Sequence, residues 1–208
     1  MKRLSLVAFF LFCALCLSLN SQAEDLHGLM IDDFEGAITG GEDGTVDFGA
    51  GNGSTINVAA STDIKQTGSQ AIKLEYGAIA GGYMWAARGF GLDAKNAGCW
   101  LKKSEEINWK DYNAIAFYMY GQGSKAMIAF DMKDNENEIF RFLVEDNFNG
   151  WKQIVCPFAQ FSSRSDWQPG NANKNDIIDF PVKSFQFEPL PENKDILYFD
   201  TVELVQSK

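Results

Sequence analysis

Arg164, Asp166 and Trp167 stand close together in the segment Phe161-Ser162-Ser163-Arg164-Ser165-Asp166-Trp167-Gln168-Pro169. A guanidinium, a carboxylate and an indole in four residues suit a ring with an apolar C–H face and a rim of hydroxyls. The indole plane covers the face, and the charged groups exchange paired hydrogen bonds with the rim. Arg164 and Asp166 are two apart, so on an extended segment both project to one side, with Trp167 beside them. The plainer alternative is a surface ion pair that holds a loop, with Trp167 plugging an edge. Tyr83 with Trp85, and Tyr118 with Tyr120, repeat the two-residue spacing and add stacking surface. Gln186 and Glu188 extend a polar line at the same spacing.

Other chemistries find little support. The one histidine is His27, near the start of the chain, which argues against Ser-His-Asp and Cys-His catalysis and against His-rich zinc sites. There is no nucleophile elbow. The run Gly49-Ala50-Gly51-Asn52-Gly53 lacks a strong strand before it and a helix after it, so it reads as a loop and not as a phosphate cradle. A glycoside hydrolase needs two carboxylates at a defined separation. With 28 acidic residues a pair can always be drawn, and Asp166 with Glu188 is the first to test. The formal charge is −10, with no basic cluster to reverse it locally, so nucleic acid is not expected as a partner.

The elements that must carry these residues are strands. Segments 54–60, 70–76, 112–120, 125–132, 138–145, 151–156, 182–188 and 196–204 are short, mostly β-branched or aromatic, and separated by Gly, Asn, Asp and Pro. Only 102–111 and 158–161 suggest a helical turn. The pattern predicts an all-β fold, an antiparallel β-sandwich of eight to eleven strands. Alternation puts Ile115, Phe117 and Met119 on one face against Ala116, Tyr118 and Tyr120 on the other, and groups Ile128, Phe130 and Met132. Val182, Phe185 and Phe187 share the inward side only if a bulge intervenes. Residues 1–23, with Lys2 and Arg3, an apolar run Leu4 to Leu19 and the end Ser21-Gln22-Ala23, read as a secretory signal peptide. Residues 24–208 read as one exported domain, periplasmic or extracellular, without a membrane span and monomeric.

Four stretches, taken together, resemble family 11 carbohydrate-binding modules. They are Met30-Ile31-Asp32-Asp33-Phe34-Glu35-Gly36, Gly82-Tyr83-Met84-Trp85, the run from Trp151-Lys152 to Trp167-Gln168-Pro169, and Phe199-Asp200-Thr201-Val202-Glu203-Leu204. The resemblance implies a jelly roll of the galactose-binding-like superfamily. It further implies non-catalytic binding of β-1,4- or mixed β-1,3/1,4-glucan in a cleft on the concave sheet, and structural calcium. By motif, Tyr83 falls on a cleft tyrosine, and Arg164 and Asp166 on the cleft arginine and aspartate. Trp167 replaces a tyrosine. Lys183 and Pro189 stand where the family has a cleft aspartate and tyrosine. The same superfamily also holds domains resembling the complex I intermediate-associated assembly proteins, which leaves a scaffold role as an alternative.

Two further expectations concern stability. Asp200 shares strand parity with Val202 and Leu204, and Asp33 with Glu35. A carboxylate beside a core needs a cation or hydrogen-bond donors. Oxygen ligation by Asp33, Glu35, Asp200 and a Ser69 carbonyl suits calcium, and capping of strand ends through N–H groups is the alternative. Export makes a single disulfide between Cys99 and Cys156 possible, the alternative being two buried thiols.

Overall fold

The structure, a computed structural model, describes residues 28–207; the predicted leader 1–23 and His27 lie outside them. The strands are β1 (Leu29–Asp32), β2 (Asp47–Gly51), β3 (Thr55–Ser61), β4 (Ala71–Ala78), β5 (Tyr83–Gly89), β6 (Ala114–Gln122), β7 (Met127–Lys133), β8 (Ile139–Glu145), β9 (Asn149–Pro157), β10 (Ser162–Ser163), β11 (Ser184–Pro189) and β12 (Asn193–Val205). All the pairings are antiparallel. Sheet A runs β3-β4-β12-β6-β9, with β1 also on β12, and sheet B runs β10-β8-β7-β11-β5-β2. The predicted antiparallel sandwich is therefore observed, with twelve strands where eight to eleven were expected. Each of the eight predicted segments is a strand, and β1, β2, β5 and β10 complete the twelve. Single 3-10 turns occupy Ser104–Glu106, Trp109–Asp111 and Phe158–Gln160.

The long strand β12 pairs with β4 through Asn193–Phe199 and with β1 through Val202–Leu204, while β6 lies along its other side. The change of partner coincides with a bulge at Thr201, whose φ is 44°. An extra residue there keeps Val202 and Leu204 in the core as Phe199 is, although their spacing from Phe199 is odd.

The core is phenylalanine-rich because β6, β7, β11 and β12 place Phe on their inward sides. Phe187 of sheet B stacks on Phe199 of sheet A with ring centroids 3.8 Å apart and planes 10° apart. Phe117 packs on Phe130 at 4.6 Å. Val182 is fully buried, but it precedes β11, so no bulge is needed to bring it inward.

Two sequence expectations are corrected here. Gly49 and Gly51 belong to β2 and not to a loop; the pairing with β5 was invisible because glycine carries no strand signal. Cys99 and Cys156 are free thiols. Cys156 lies in the core on β9, whereas the segment holding Cys99 runs beside β1, with Leu101 N–H donating to Ile31 O. Strands β12 and β6 intervene between β1 and β9, a separation of roughly 14 Å, well beyond disulfide reach.

One ion pair lies between the sheets. Arg88 on β5 grips Asp32 on β1 through Nε to Oδ2 at 2.6 Å and Nη2 to Oδ1 at 2.9 Å. Both are buried, and the guanidinium stands over the Phe34 ring at 5.1 Å. Removing one partner strands the other charge in the core. We expect Asp32→Ala to cost about 3–5 kcal/mol in urea unfolding, and the pair Asp32→Leu with Arg88→Met to recover most of it.

Candidate functional site

The outer face of sheet B forms a groove of about 740 Å³. Its floor follows from register. One row crosses all six strands: Asp47 of β2, Ala87 of β5, Gln186 of β11, Asp131 of β7, Arg141 of β8 and Ser162 of β10. These positions alternate with the inward residues Ala86, Phe187, Phe130 and Phe140. Strand parity alone therefore turns a carboxylate, an amide and a guanidinium outward wherever a core residue turns in.

The segment after β10 arches over this floor. Gln168 anchors it by imitating a strand residue: its Oε1 accepts from Ile139 N–H at 2.8 Å and its Nε2 donates to Ile139 O at 2.8 Å. The anchor places Arg164 across the groove. Arg164 Nε donates to Asp166 Oδ1 at 2.8 Å, and Nη1 donates to Glu188 Oε2 at 2.7 Å. Nη1 also lies 3.3 Å from Asp131 Oδ2. Arg141 holds Asp131 from the other side, through Nε at 2.8 Å and Nη2 at 2.9 Å, and reaches Glu188 at 2.9 Å. Gln186 Nε2 donates to Glu188 Oε2 at 3.0 Å. Two guanidinia and three carboxylates thus form one network with an excess negative charge.

Burial pushes the Glu188 carboxyl up, against the pull of Arg141 and Arg164. Its hydrogen bond to Arg164 holds Asp166 below the usual aspartate range. Asp131 and Glu188 are buried and brace the arginines, while the Asp166 side chain is 58% exposed and offers acceptor sites to a ligand.

Aromatic surface flanks the network on both sides. Tyr83 and Trp85 lie on the groove side of β5, and Trp85 Nε1 donates to Asp47 Oδ1 at 3.2 Å. Trp167 is 57% exposed, with the Arg164 guanidinium 5.8 Å from its ring. Seven of the nine residues assigned from sequence therefore meet in one groove. Tyr118 and Tyr120 do not. They sit on β6 in sheet A, and because Phe117 and Met119 face the core, the tyrosines point to the far outer surface. Tyr120 packs there against its cross-strand neighbours Trp151 and Tyr198, at 5.5 and 6.0 Å. Asp47 and Asp131 also line the groove, and Arg141 stands in the same outward row. For Asp131 and Arg141 the signal was present, since Asp131 lies between the core residues Phe130 and Met132, and Arg141 between the core Phe140 and the partly buried Phe142.

The residues assigned to calcium divide. Asp33 Oδ1 accepts the N–H of Glu35 and closes its own turn. Glu35 accepts from the N–H of Ser69 at 2.8 Å and from its hydroxyl. Asp200 accepts from Gln66 N–H at 2.8 Å and Thr67 N–H at 3.1 Å. Glu35 and Asp200 thus bracket one loop, residues 62–70. Asp200 is fully buried and has no ion-pair partner among the described residues; burial raises its pKa, and its backbone hydrogen bonds lower it in part. Among the described residues no three acidic, histidine or cysteine side chains gather as a metal cage. The donors that meet both carboxylates are N–H groups and hydroxyls; a calcium at this loop would be held by Glu35 and Asp200.

The family model for "Carbohydrate binding domain (family 11)" matches residues 23–207. The fold is similar to the family 11 module of the cellulosomal cellulase Lic26A-Cel5E of Clostridium thermocellum, with a TM-score of 0.66, 16% identity, and coverage of 88% of this chain and 96% of that one. It is also similar to a Clostridium thermocellum family 11 module in complex with a β-1,3-1,4-mixed-linked tetrasaccharide, with a TM-score of 0.65, 18% identity, and coverage of 86% and 96%. Among curated proteins, a mannan endo-1,4-β-mannosidase of Bifidobacterium adolescentis is 26% identical over 145 residues; the match spans 70% of this chain and 13% of that protein. A sandwich with this groove, matched by the family model over nearly its whole length, belongs to the family 11 carbohydrate-binding domains.

Proposed function

We propose that the groove binds an uncharged β-glucan, mixed-linkage or β-1,4-linked, and does not cleave it. The observation that carries this reading is the meeting, in one groove, of exposed aromatic faces with a network of charged groups whose geometry is set before any ligand arrives. Both arginines are already engaged by carboxylates, so no free guanidinium awaits an acidic sugar. Asp166 and the Gln186 carbonyl supply acceptors for hydroxyls, and Trp167, Tyr83 and Trp85 cover C–H faces. Lys183, at the position where the resemblance places a cleft aspartate, turns its amine to Asn135 and Asn137. The solved relative with a mixed-linked tetrasaccharide supports the ligand class.

Hydrolysis is disfavoured by the same network. A glycosidase needs one carboxyl to give up a proton and another to attack or to activate water. Asp166 and Glu188 instead share one guanidinium, and Glu188 is held by a second. In this reading the protein acts as an exported monomer, and the loop bracketed by Glu35 and Asp200 carries a structural calcium.

Affinity electrophoresis through gels containing mixed-linkage β-glucan tests the function. Trp167→Ala and Tyr83→Ala should weaken retardation by about tenfold to a hundredfold, the effect of losing roughly 1–3 kcal/mol. Asp166→Ala should weaken it through lost hydrogen bonds, and Tyr120→Ala should leave it unchanged. Unretarded migration of the wild type in β-glucan, hydroxyethylcellulose, xylan and mannan gels would overturn glucan binding and favour a scaffold role, whereas shortening of the polymer would indicate an enzyme.

The pH profile has a definite sign. Glu188, whose pKa is raised on folding, contributes stability below the ordinary glutamate range that is lost as pH rises through its folded value; Asp166, whose pKa is lowered, does the reverse. As pH falls from 7, Glu188 therefore takes a proton before Asp166, and its hold on Arg164 weakens first. Affinity should begin to fall at a pH above the ordinary glutamate range, and Glu188→Gln should remove that early step. For the loop, a chelator should lower the melting temperature of the wild type and leave Asp200→Ala unaffected. Superimposable wild-type melting curves would mean that hydrogen bonds alone close the loop.

A further inference from the structure

We propose that Gly49 and Gly51 of β2 are positioning residues of the groove. By leaving this edge strand bare, they let Trp85 and Tyr83 lie across it as one two-ring platform for consecutive pyranose rings of a glycan chain. The proposal rests on reading the groove as a glucan site.

Register pairs Gly49 with Trp85 and Gly51 with Tyr83. A Cβ on Gly49 would stand 2.6 Å from Trp85 Cη2, and one on Gly51 would overlap the Tyr83 ring at Cζ. Each ring therefore occupies the space of the side chain its partner lacks. The two ring planes are 15° apart, with centroids separated by 6.1 Å. Rings directly over one another lie about 3.5–4.0 Å apart, so at this separation the near-parallel rings form an offset pair and overlap at most in part. The Asp47 bond holds the indole in this orientation, and Asp47 is itself fixed by Asp93 N–H at 2.9 Å.

Glycine is not required here by the backbone. Neither Gly49 nor Gly51 has a positive φ, in contrast to Gly53 at 88°. Glycine at two alternate positions of a strand weakens pairing and gives the strand nothing to pack, so the missing side chains point to a use on that face. Ala50, between them, faces the other way. Sheet B ends at β2, so the platform opens at the rim and a chain can continue past it.

Calorimetry with mixed-linkage and β-1,4-linked gluco-oligosaccharides tests this. Gly49→Ala should bind about tenfold more weakly than the wild type, and Gly49→Ala with Trp85→Ala no more weakly than Trp85→Ala alone; Gly51 and Tyr83 should behave in the same way. A merely structural role gives additive losses. In the wild-type protein, NMR should show ring-current upfield shifts at the Gly49 and Gly51 α-protons, a measurement that needs no variant to fold. Normal α-proton shifts, additive losses, or wild-type affinity in both glycine variants would overturn the platform while leaving glucan binding intact. A wild type that binds none of these sugars would overturn both.

Discussion

The stack of Phe187 on Phe199 joins the two sheets, and the rest of the groove is a consequence of where it sits. A strand offers only two directions to a side chain, so committing Phe187 inward commits Gln186 and Glu188 outward. The same choice at Phe130 turns Asp131 out, and at Phe140 and Phe142 it turns Arg141 out. Because the strands are in register, these outward groups fall in adjacent rows. The hydrophobic effect, acting on the phenylalanines, therefore sets the geometry of a polar site that it never touches.

The network that results could not stand in water-free surroundings without its own compensation. Asp131 and Glu188 are buried, and each contacts both arginines. Mutual engagement offsets part of the cost of burying charge and also keeps the side chains from wandering when no ligand is present. A hydroxyl-rich ligand then meets acceptors already in place, and less ordering has to accompany binding. Arg88 and Asp32 apply the same solution inside the sandwich, where the pair ties β5, which carries the aromatic platform, to β1 of the opposite sheet.

Edges carry much of what is particular to this chain. The edge strand β2 has its groove side left bare at Gly49 and Gly51, and the two-residue strand β10 leads into the segment bearing Arg164, Asp166 and Trp167. Gln168 stabilises that segment with a side-chain amide in place of a longer ladder. In sheet A, by contrast, aromatic residues on the outer face pack edge to face on one another.

The sandwich, its inward residues and most of the groove were legible in the sequence, because alternation of Phe, Ile and Met with polar residues is a local signal. The spacing of Arg164 and Asp166 was legible for the same reason. What alternation cannot tell is which of two sheets a strand joins. Tyr118 and Tyr120 have the parity of groove residues, but β6 lies in sheet A, and that depends on pairing with β9 and β12, far away in sequence. Long-range pairing likewise decided the two cysteines, kept apart by intervening strands, and the loop at Asp200, whose donors lie more than 130 residues away. Gly49 and Gly51 carried no strand propensity of their own; only their neighbours in β5 made them part of a strand and gave the absence of a side chain its meaning.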